Sequence, residues 1–463
     1  MFEISRSDKA QVDVVVPGGD GKAAREAGEE LIRCLKAATG GRYRIVSEPA
    51  DTADLTIELN IDPDLKAPGR HRIQPINVVA WDCDGKRALR LVGNSEESLW
   101  LAVYAFLEEI VGCRWFFPGE LGEDVPKLDT LRLPRGRTVK TPSFVARDFH
   151  WWPESFQRKK LAGGFVFLGC HTYGEIVPPK VAREHPEYFS EIGGKRAEQG
   201  TQLCVSHPDV EDLALDYCLR TVRENPGTHT VGLSPNDTNR FCNCRRCTET
   251  NLGRKLRRGE KPGESRWVTR SVFEFANRVT ERFAERHPDK WLVVLAYART
   301  KAPPENLSIH DNILVWYCNQ PGNNWQGPSG RRRMENDLAG WSKIARSIGI
   351  YDYLINQSWP DFPRPITEFL GDYMKLFHKR GVRFYYTQCG EDFGVHLPNY
   401  YLATALCWDV DRDPKKVLDD MYARCFPRSG RHVKRYFEIG RAHVCTPVTT
   451  HNLVCRLLLE KKK

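Results

Sequence analysis

The chain has 463 residues, of which 41% are hydrophobic and 11% aromatic, and its formal net charge is +9. This length is enough for roughly two or three domains, each with its own core. The basic residues are dispersed rather than interleaved with aromatic ones, so we expect no nucleic-acid partner. No run of about 18 apolar residues is present, so we expect no membrane span.

Residues 1–138 have the pattern of a small α/β domain. Short runs of apolar residues predict strands at residues 11–16, 43–46, 55–59 and 88–92. The first helix is predicted over residues 21–39, where the apolar positions form one stripe. A second helix is predicted over residues 97–111 with Asn94 as its N-cap, and residues 126–142 are predicted to be a linker.

Residues 143–437 alternate strand and helix patterns. Eight strands are predicted, at residues 143–150, 164–171, 202–206, 228–235, 291–297, 312–319, 348–355 and 382–388. Helices are predicted between or after them, at residues 210–224, 268–287, 336–346, 366–380 and 399–408. Eight such repeats predict a (β/α)8 TIM barrel. The predicted fold class is therefore α/β, with an N-terminal α/β domain followed by this barrel.

Polar and aromatic side chains gather where these strands end, which is where TIM barrels carry their chemistry. The catalytic candidates are Asp237 after the fourth strand and Glu391 after the eighth, with Asp352 after the seventh in reserve. Because strands four and eight lie across the barrel from each other, we expect Asp237 and Glu391 to point into one pocket. The candidate substrate-binding residues at the other strand ends are Arg147, His150, Trp151, His171, Asn236, Tyr297, Trp316, Tyr317, Asn319, Tyr353 and Gln388.

Carboxylates, amides and aromatic rings around one opening are typical of a carbohydrate site. Glycosidic cleavage needs a proton donor at the leaving oxygen and, usually, a second carboxylate that stabilises an oxocarbenium-like centre. We therefore expect one catalytic carboxyl to have a raised pKa. Each residue also has a structural interpretation: Asp237 as a helix cap, Glu391 as a carboxylate at a helix N-terminus, and Asp148 as the ion-pair partner of Arg147.

A cysteine cluster follows Asp237 in the same loop. Cys242, Cys244 and Cys247 have the spacing C-x-C-x-x-C, and a structural zinc site takes four ligands. Cys204, at the end of the third predicted strand, is next door in a barrel and is the candidate fourth ligand. The alternatives are a disulfide with one free thiol, or reduced cysteines that only pack. We expect no cofactor to be required for catalysis.

Two sets of motifs resemble known families. Residues 93–120, GNSEESLWLAVYAFLEEIVGCRWFFPGE, resemble the domain that precedes the barrel in family 67 α-glucuronidases and family 20 hexosaminidases. Four further segments resemble domain-of-unknown-function family 4838: HPEYF (185–189), QLCVS (202–206), PNDTNRFCNCRRC (235–247) and YYLATALCWD (400–409). Part of that family is classified as glycoside hydrolase family 163. The resemblance covers roughly residues 1–437.

This resemblance implies endo-β-N-acetylglucosaminidase activity on N-glycans, by a retaining mechanism in which the substrate's acetamide oxygen attacks the anomeric carbon. Family 20 enzymes place an Asp-Glu pair after strand four, where this chain has Asn236 and Asp237. In one assignment Asp237 is the acid and Asn236 grips the acetamide. In the other, Glu391 is the acid and Asp237 orients the acetamide. Arg147 stands where family 20 enzymes keep a sugar-gripping arginine.

The expected function is therefore a glycoside hydrolase that acts on an oligosaccharide or glycan. The alternative is a catalytically inactive carbohydrate-binding barrel that keeps only the aromatic and amide contacts. The first residues carry no apolar signal core, so either the protein is cytoplasmic or Met1 is not the native start. Members of the family it resembles are often exported, to the periplasm or the medium, and the localisation stays open.

Residues 438–463 differ from the rest of the chain. Their segments EIGRAHV and LVCRLLLEKKK resemble the conceptual translation of a sequencing-adapter oligonucleotide, a known contaminant of assembled metagenomic reads. We leave this tail out of the fold prediction and expect a barrel truncated near residue 437. The tail holds five basic and two acidic residues, so the net charge without it falls from +9 to +6. The alternative is a genuine, disordered basic tail.

Overall fold

A computed structural model of the chain describes residues 2–5, 11–16, 21–84, 88–133, 135–196, 201–263, 265–319, 328–355, 363, 365–390 and 392–445. Of the predicted site residues, Glu391 lies outside these ranges. The strands are β1 (Phe2–Ser5), β2 (Gln11–Val15), β3 (Arg42–Val46), β4 (Leu55–Ile61), β5 (Val79–Cys83), β6 (Ala88–Gly93), β7 (Arg114–Trp115), β8 (Glu123–Asp124), β9 (Thr130–Leu133), β10 (Gly136–Lys140), β11 (Ala146–His150), β12 (Glu191–Ile192), β13 (Lys195–Arg196), β14 (Thr230–Gly232), β15 (Trp291–Ala296), β16 (Ile313–Asn319), β17 (Ser347–Tyr353) and β18 (Val382–Gln388).

The α-helices are α1 (Gly21–Thr39), α2 (Glu96–Phe106), α3 (Glu154–Lys159), α4 (Tyr173–Ile176), α5 (Pro208–Glu224), α6 (Arg245–Leu252), α7 (Thr269–Ala284), α8 (Pro328–Ile344), α9 (Thr367–Lys379), α10 (Phe393–Trp408), α11 (Pro414–Cys425) and α12 (Gly430–Cys445). Helix α2 continues into a π-helical turn, Leu107–Val111. None of the helices in the described part of the chain is long and apolar enough to cross a membrane.

The first large sheet is built from the N-terminal segment. Its strand order is β10-β5-β6-β4-β2-β3, with β3, β2, β4 and β6 parallel and with β5 and β10 antiparallel to their neighbours. Helices α1 and α2 pack on this sheet. The buried residues of α1 recur at helical spacing, as Ala24, Leu31 and Leu35 show. This sheet and its helices form the predicted N-terminal α/β region.

Ser95, rather than the predicted Asn94, is the N-cap of α2. The Ser95 hydroxyl oxygen accepts a hydrogen bond from the Ser98 N–H at 3.2 Å. Asn94 instead ties the preceding loop, because its side chain accepts from the Val78 N–H and donates to the Ile76 carbonyl. Serine and asparagine cap helices about equally well, so the sequence did not distinguish these two adjacent residues.

The second large sheet has the order β11-β18-β17-β16-β15-β14, and the pairings from β14 to β17 are parallel. Strand β16 is buried along its whole length, as expected for a parallel strand that is covered on both faces. Helices α7, α8 and α9 alternate with these strands along the chain. This sheet is a parallel half-barrel, and the predicted α/β fold class is confirmed.

Two of the eight predicted barrel strands do not form regular strands. Residues 164–171 run beside β14, with the Gly232 N–H donating to the Leu168 carbonyl at 2.7 Å, but Gly164 and Gly169 have positive φ angles of 84° and 78°. Such angles break the extended backbone of a strand. Residues 202–206 make only an isolated bridge, through Leu203, to Phe189.

The internal contacts of the chain define two compact units. The first contains residues 1–164, 353–378 and 387–463, and the second contains residues 165–352 and 379–386. An aromatic cluster around Trp152 lies in the core of the first unit, and a cluster around Trp316 lies in the core of the second. The predicted domains, residues 1–138 and 143–437, remain a prediction.

The C-terminal helices of the first unit bury Phe437 in a cluster that includes Met421 and Tyr422. Helix α12 continues beyond Phe437 to Cys445, and Ile439 is 55% exposed. The remaining residues of the predicted adapter-derived tail, 446–463, lie outside the described residues. The origin of the tail stays a prediction.

Candidate active site

A small polar pocket opens beyond the carboxyl end of β14. The residues that line it include His171, Asn236, Asp237, Phe241 and Tyr297. The space that it encloses is about 100 Å³, whereas pockets that hold a whole ligand enclose roughly 300–1,000 Å³. The pocket therefore suits one substituent of a larger molecule rather than an entire oligosaccharide.

Asp237 is the carboxylate of this pocket. Its side chain is exposed and lies close enough to the Tyr297 phenol to affect its ionisation. Burial, followed by the charge of Asp237, raises the pKa of Tyr297, so the phenol stays protonated. The next residue, Ala298, also lines the pocket and has a left-handed φ of 48°. This backbone conformation costs a non-glycine residue about 1–2 kcal/mol and is often found at functional sites.

Asp237 is held in place through the backbone on either side of it. The Gln202 side-chain NH2 group donates to the carbonyls of Asn236 and Thr238, both at 2.7 Å, and its side-chain oxygen accepts from the Asn236 N–H at 2.8 Å. We call these three bonds the Gln202 clamp. Sequence reasoning missed Gln202 because its partners lie 34 and 36 residues further along the chain, beyond the reach of a local pattern.

Two predicted substrate-binding residues, Asn236 and His171, make scaffold bonds at the pocket. The Asn236 amide accepts from the Gly174 N–H and donates to the Thr201 carbonyl, which fixes its side chain at the pocket wall, and its contact with a substrate stays a prediction. The His171 Nδ1 donates to the Pro235 carbonyl at 2.6 Å. This bond fixes the ring and leaves Nε2 to meet a ligand.

Trp316 and Tyr317 belong to the core of the second unit, not to the pocket wall. They are 1% and 0% exposed. The Trp316 ring packs edge-on against Phe167 at 4.4 Å between centroids. Tyr317 faces the other side of β16, where its hydroxyl donates to Asp337 of α8 at 3.1 Å. The predicted substrate contacts of both residues are corrected, because these positions lie inside the buried strand rather than beyond its end.

Asp352 and Asn319 form a closed pair on neighbouring strands. They are opposite each other in the register of β17 and β16, and both are fully buried. One Asp352 oxygen accepts from Asn319 Nδ2 at 3.2 Å and the other accepts from the Tyr385 hydroxyl at 2.8 Å. Neither residue is among the described residues that line the Asp237 pocket. The structure therefore gives no support to a catalytic role for Asp352 or a substrate contact for Asn319.

Arg147 is a buried scaffold residue of the first unit. Its guanidinium donates to the carbonyls of Phe144, Val145 and Leu161 and to the Asn77 side chain. Burial lowers its pKa to about 10, so the group still carries its charge at neutral pH. The expectation that Arg147 grips a sugar is corrected, because a fully buried guanidinium bound to main-chain carbonyls is not accessible to a substrate.

Asp148, the next residue of β11, has a different environment. Burial raises its pKa to about 6, and the described hydrogen bonds of Arg147 go to carbonyls and an amide instead of to this carboxyl. The ion pair considered from the sequence is therefore not formed. A carboxyl that holds its proton near neutral pH is suited to general acid catalysis. Asp337 also has a raised pKa, but its carboxylate accepts the hydroxyl of Tyr317.

His150 and Trp151 follow Asp148 in the first unit. Trp151 is 57% exposed, its φ is 70°, and its ring centroid lies 4.6 Å from that of His150. Burial lowers the pKa of His150. An exposed indole on a constrained backbone is suited to stack on a sugar ring. Tyr353 and Gln388 end β17 and β18 and are half-buried, and their predicted contacts with substrate stay predictions.

Four cysteines come together beside the loop that carries Asp237. Cys204, Cys242, Cys244 and Cys247 are all buried, and their Sγ atoms lie within 4.8 Å of one another. The Cys204 Sγ is 3.8 Å from that of Cys244 and 3.9 Å from that of Cys247. The prediction that Cys204 joins the three loop cysteines is confirmed, and the group has the ligand number and spacing to hold one metal ion.

The model of the family described as Domain of unknown function (DUF4838) matches residues 117–438. The chain belongs to this family. The DUF4838 match contains both the Asp237 pocket and the four cysteines, and it ends at residue 438, where the predicted tail begins. No curated protein matches the chain.

Two solved structures are similar in fold to this DUF4838 chain. One is a family GH115 4-O-methyl-α-glucuronidase with specificity for decorated arabinogalactans, at 12% identity and a TM-score of 0.53, covering 98% of this chain and 65% of that one. The other is CpGH89 from Clostridium perfringens in complex with its substrate GlcNAc-α-1,4-galactose, at 11% identity and a TM-score of 0.50, covering 89% of this chain and 51% of that one. The chain thus spans 65% and 51% of these two proteins, and the likeness shows the fold alone.

Proposed function

We propose that this chain is a glycoside hydrolase that cleaves β-N-acetylglucosaminide linkages in glycans with the help of the substrate's own acetamide group. The observation that carries the proposal is the small polar pocket beyond the carboxyl end of β14, in which the Asp237 carboxylate lies beside Tyr297 and His171. The substrates named for the two proteins of similar fold, an arabinogalactan and a GlcNAc-galactose disaccharide, support a carbohydrate substrate.

We assign Asp237 the role of orienting the acetamide. Its carboxylate is exposed and lines the pocket, and its oxygens have lone pairs that can accept an amide N–H. The enclosed space of about 100 Å³ suits an acetamide group better than a sugar ring. Holding the acetamide oxygen against the anomeric carbon makes the attack intramolecular, and positioning of this kind lowers the barrier substantially.

Two carboxyls are candidates for the proton donor. Glu391, after the eighth predicted strand, is the acid that goes with an orienting role for Asp237. Asp148, whose pKa burial raises to about 6, is the next residue to test, because an acid must keep its proton near neutral pH. Replacing the true acid should abolish cleavage of glycans but spare aryl glycosides, whose good leaving groups need no protonation. Replacing Asp237 should impair both kinds of substrate.

The proposed reaction requires no cofactor, because side chains, the substrate's acetamide and a water molecule that hydrolyses the intermediate supply every reacting group. None of the four clustered cysteines is among the described residues that line the Asp237 pocket. A metal held by them would therefore have a structural role.

The test is turnover of 4-nitrophenyl N-acetyl-β-glucosaminide and of an N-glycan by the full chain and its Asp237→Asn variant. We expect the substitution to lower kcat about 100- to 1,000-fold, the size of effect seen when one preorganised polar contact to a transition state is lost. Asp289→Asn is the matched control, because this carboxylate in the same unit is 72% exposed and should leave turnover unchanged.

The proposal would be overturned if Asp237→Asn kept near-native turnover, or if 4-nitrophenyl β-glucoside, which lacks the acetamide, were cleaved as fast as the N-acetyl substrate. Binding of glycans without turnover of any substrate would favour the inactive carbohydrate-binding barrel instead.

A further inference from the structure

We propose that Cys204, Cys242, Cys244 and Cys247 bind one zinc ion and that this ion, together with the Gln202 clamp, fixes the loop that carries Asp237. The zinc site itself does not depend on the enzymatic activity. The effect on Asp237 rests on the function proposed above.

The spacing of the sulfur atoms fits a single tetrahedral ion. A Zn–S bond of about 2.3 Å requires ligand sulfurs about 3.8 Å apart at the corners of a tetrahedron. The two separations measured from the Cys204 Sγ are 3.8 and 3.9 Å, and all four sulfurs lie within 4.8 Å of one another. A disulfide would need about 2.05 Å between its sulfurs, and no disulfide joins these four cysteines.

Hydrogen-bond donors surround the sulfurs in a way that apolar packing does not require. The Glu191 N–H donates to the Cys242 Sγ at 3.3 Å, and the Arg196 guanidinium lies 3.8 Å from the same sulfur. The Ser206 hydroxyl is 3.1 Å from the Cys247 Sγ. Four thiolates around Zn²⁺ carry a net charge of −2, which a guanidinium and N–H donors stabilise as outer-shell partners do in other metal sites.

The cysteines join the same two segments of chain that the Gln202 clamp joins. Cys204 follows Gln202 by two residues, and Cys242 follows Asp237 by five. The main-chain N–H of Gln202 also donates to the Arg240 carbonyl. The metal and the Gln202 clamp therefore connect residues 201–206 to residues 234–247 at two neighbouring points.

These two connections are important because the loop that carries Asp237, between β14 and α6, has little regular secondary structure. No helix or strand is assigned between Gly232, the end of β14, and Arg245, the start of α6, all of which is described. The position of the Asp237 backbone thus depends on contacts with other segments. The clamp fixes the loop at Asn236 and Thr238. The metal fixes it further along the chain, from Cys242 to Cys247.

The first experiment measures metal in the purified full chain by mass spectrometry. We expect about one zinc per chain, and cobalt substitution should give the absorption of a tetrahedral tetrathiolate site. Cys204→Ser should lose the zinc, whereas Cys218→Ala should keep it, since Cys218 is equally buried but lies in α5 outside the cluster. If Cys204→Ser does not fold, cobalt titration of chelator-treated wild-type protein decides the ligand set. Metal-free protein, or a disulfide among the four cysteines, would overturn the zinc site.

The second experiment follows amide hydrogen exchange before and after zinc is removed by a chelator, with the loss of metal confirmed on the same sample. We expect exchange to rise at least about tenfold in peptides from residues 201–206 and 234–247 through local opening, and to stay unchanged in β15, β16 and β17. Unchanged protection of the loop after zinc loss would overturn the link to Asp237 while leaving the metal site intact.

Gln202→Ala completes the test. It should retain zinc at the wild-type level and lower kcat more than it raises KM, because a misplaced Asp237 impairs the reaction more than the encounter with substrate. Wild-type kcat in this variant would contradict the positioning role. Absence of activity in the wild type would refute the proposed function, but the zinc and exchange results would still decide the metal site.

Discussion

The Tyr297 phenol lines the pocket beside the Asp237 carboxylate, and its removal tests that contact directly. A hydrogen bond to a charged group contributes about 1.5–3 kcal/mol, so if the phenol donates to Asp237 during the reaction, Tyr297→Phe should lower kcat roughly 10- to 100-fold in steady-state kinetics. Tyr317→Phe is the matched control, because it removes a phenol–carboxylate bond, to Asp337, and Tyr317 is not among the described residues that line the pocket. Equal losses of kcat in the two variants would contradict the assignment.

The raised pKa of Asp148 should make the free energy of unfolding depend on pH. Its pKa rises from 3.8 to about 6 on folding, so the folded state binds this proton more tightly than the unfolded state. Ionisation of Asp148 therefore destabilises the folded state. This destabilisation is absent below pH 3.8, grows as the pH rises and is complete above about 6. Asp148→Asn removes the ionisable group and should stabilise the protein by up to about 3 kcal/mol at pH 8, with little change at pH 3.5.

Urea unfolding of both proteins at these two pH values measures the effect, and Asp289→Asn, at an exposed carboxyl, should show no such difference. If Asp148→Asn also loses activity on glycans, the variant gains stability at the expense of function, as expected when a catalytic acid is replaced. A variant that is equally stable at both pH values would show that Asp148 ionises normally in the folded chain.

Polar residues that follow a strand were predictable, but the point at which each strand ends was only partly so. Asp237, His171 and Tyr297 share a pocket, as expected from the polar residues that follow a buried strand. Arg147 and Tyr317 are buried because they lie within β11 and β16 rather than beyond their ends. When both faces of a strand are buried, no alternation of apolar and polar residues marks where it ends.

At the scale of secondary structure, the close approach between β14 and residues 166–169 gives a sharp test. A Cβ atom on Gly232 would lie 2.5 Å from the Gly169 carbonyl oxygen and 2.8 Å from the Thr172 methyl group. Gly232→Ala should therefore destabilise the protein by about 1–3 kcal/mol through overpacking, measured as a lower urea midpoint. Gly227→Ala is the control, since a Cβ there meets nothing within 4 Å, and a similar loss in both variants would contradict this explanation.

The same contact explains why some elements were predictable and others were not. Strands β15 to β18 were found because continuous apolar runs are typical of buried parallel strands. Residues 164–171 have such a run, but Gly164 and Gly169 take left-handed backbone angles. Residues 202–206 are apolar except for Gln202 and Ser206, and the Gln202 side chain bonds to the Asp237 loop. Long-range contacts of this kind are not visible in local patterns.

For the whole molecule, the tail makes the clearest prediction. A chain that ends at Cys445 should have the same thermal midpoint as the full chain, because residues 446–463 are predicted to pack poorly on the barrel. Phe437→Ala should cost about 3–5 kcal/mol, because Phe437 is buried against Met421 and Tyr422. If the shortened chain lost as much stability as Phe437→Ala, the tail would be part of the fold and the adapter hypothesis would be wrong.

The α/β class was predictable for the whole molecule, because helix and strand periodicities alternate along most of its length. The two compact units were not predictable from the sequence. The first combines residues 1–164 with two later segments, 353–378 and 387–463. A chain that leaves a unit and returns to it gives no compositional signal at the crossing points, so a linker-based boundary is all that the sequence provides.

The exposure of Trp151 gives this protein a built-in optical probe. Its indole is 57% exposed and that of Trp267 is 43% exposed, whereas Trp81, Trp115, Trp152, Trp316, Trp341 and Trp408 are between 0% and 5% exposed. Acrylamide in solution will therefore quench the fluorescence of Trp151 and Trp267 in preference to that of the buried tryptophans, and a Trp267→Phe background removes the contribution of Trp267. A sugar that stacks on the indole shields it from the quencher, so ligands are detected by binding alone, before any substrate is known to be cleaved.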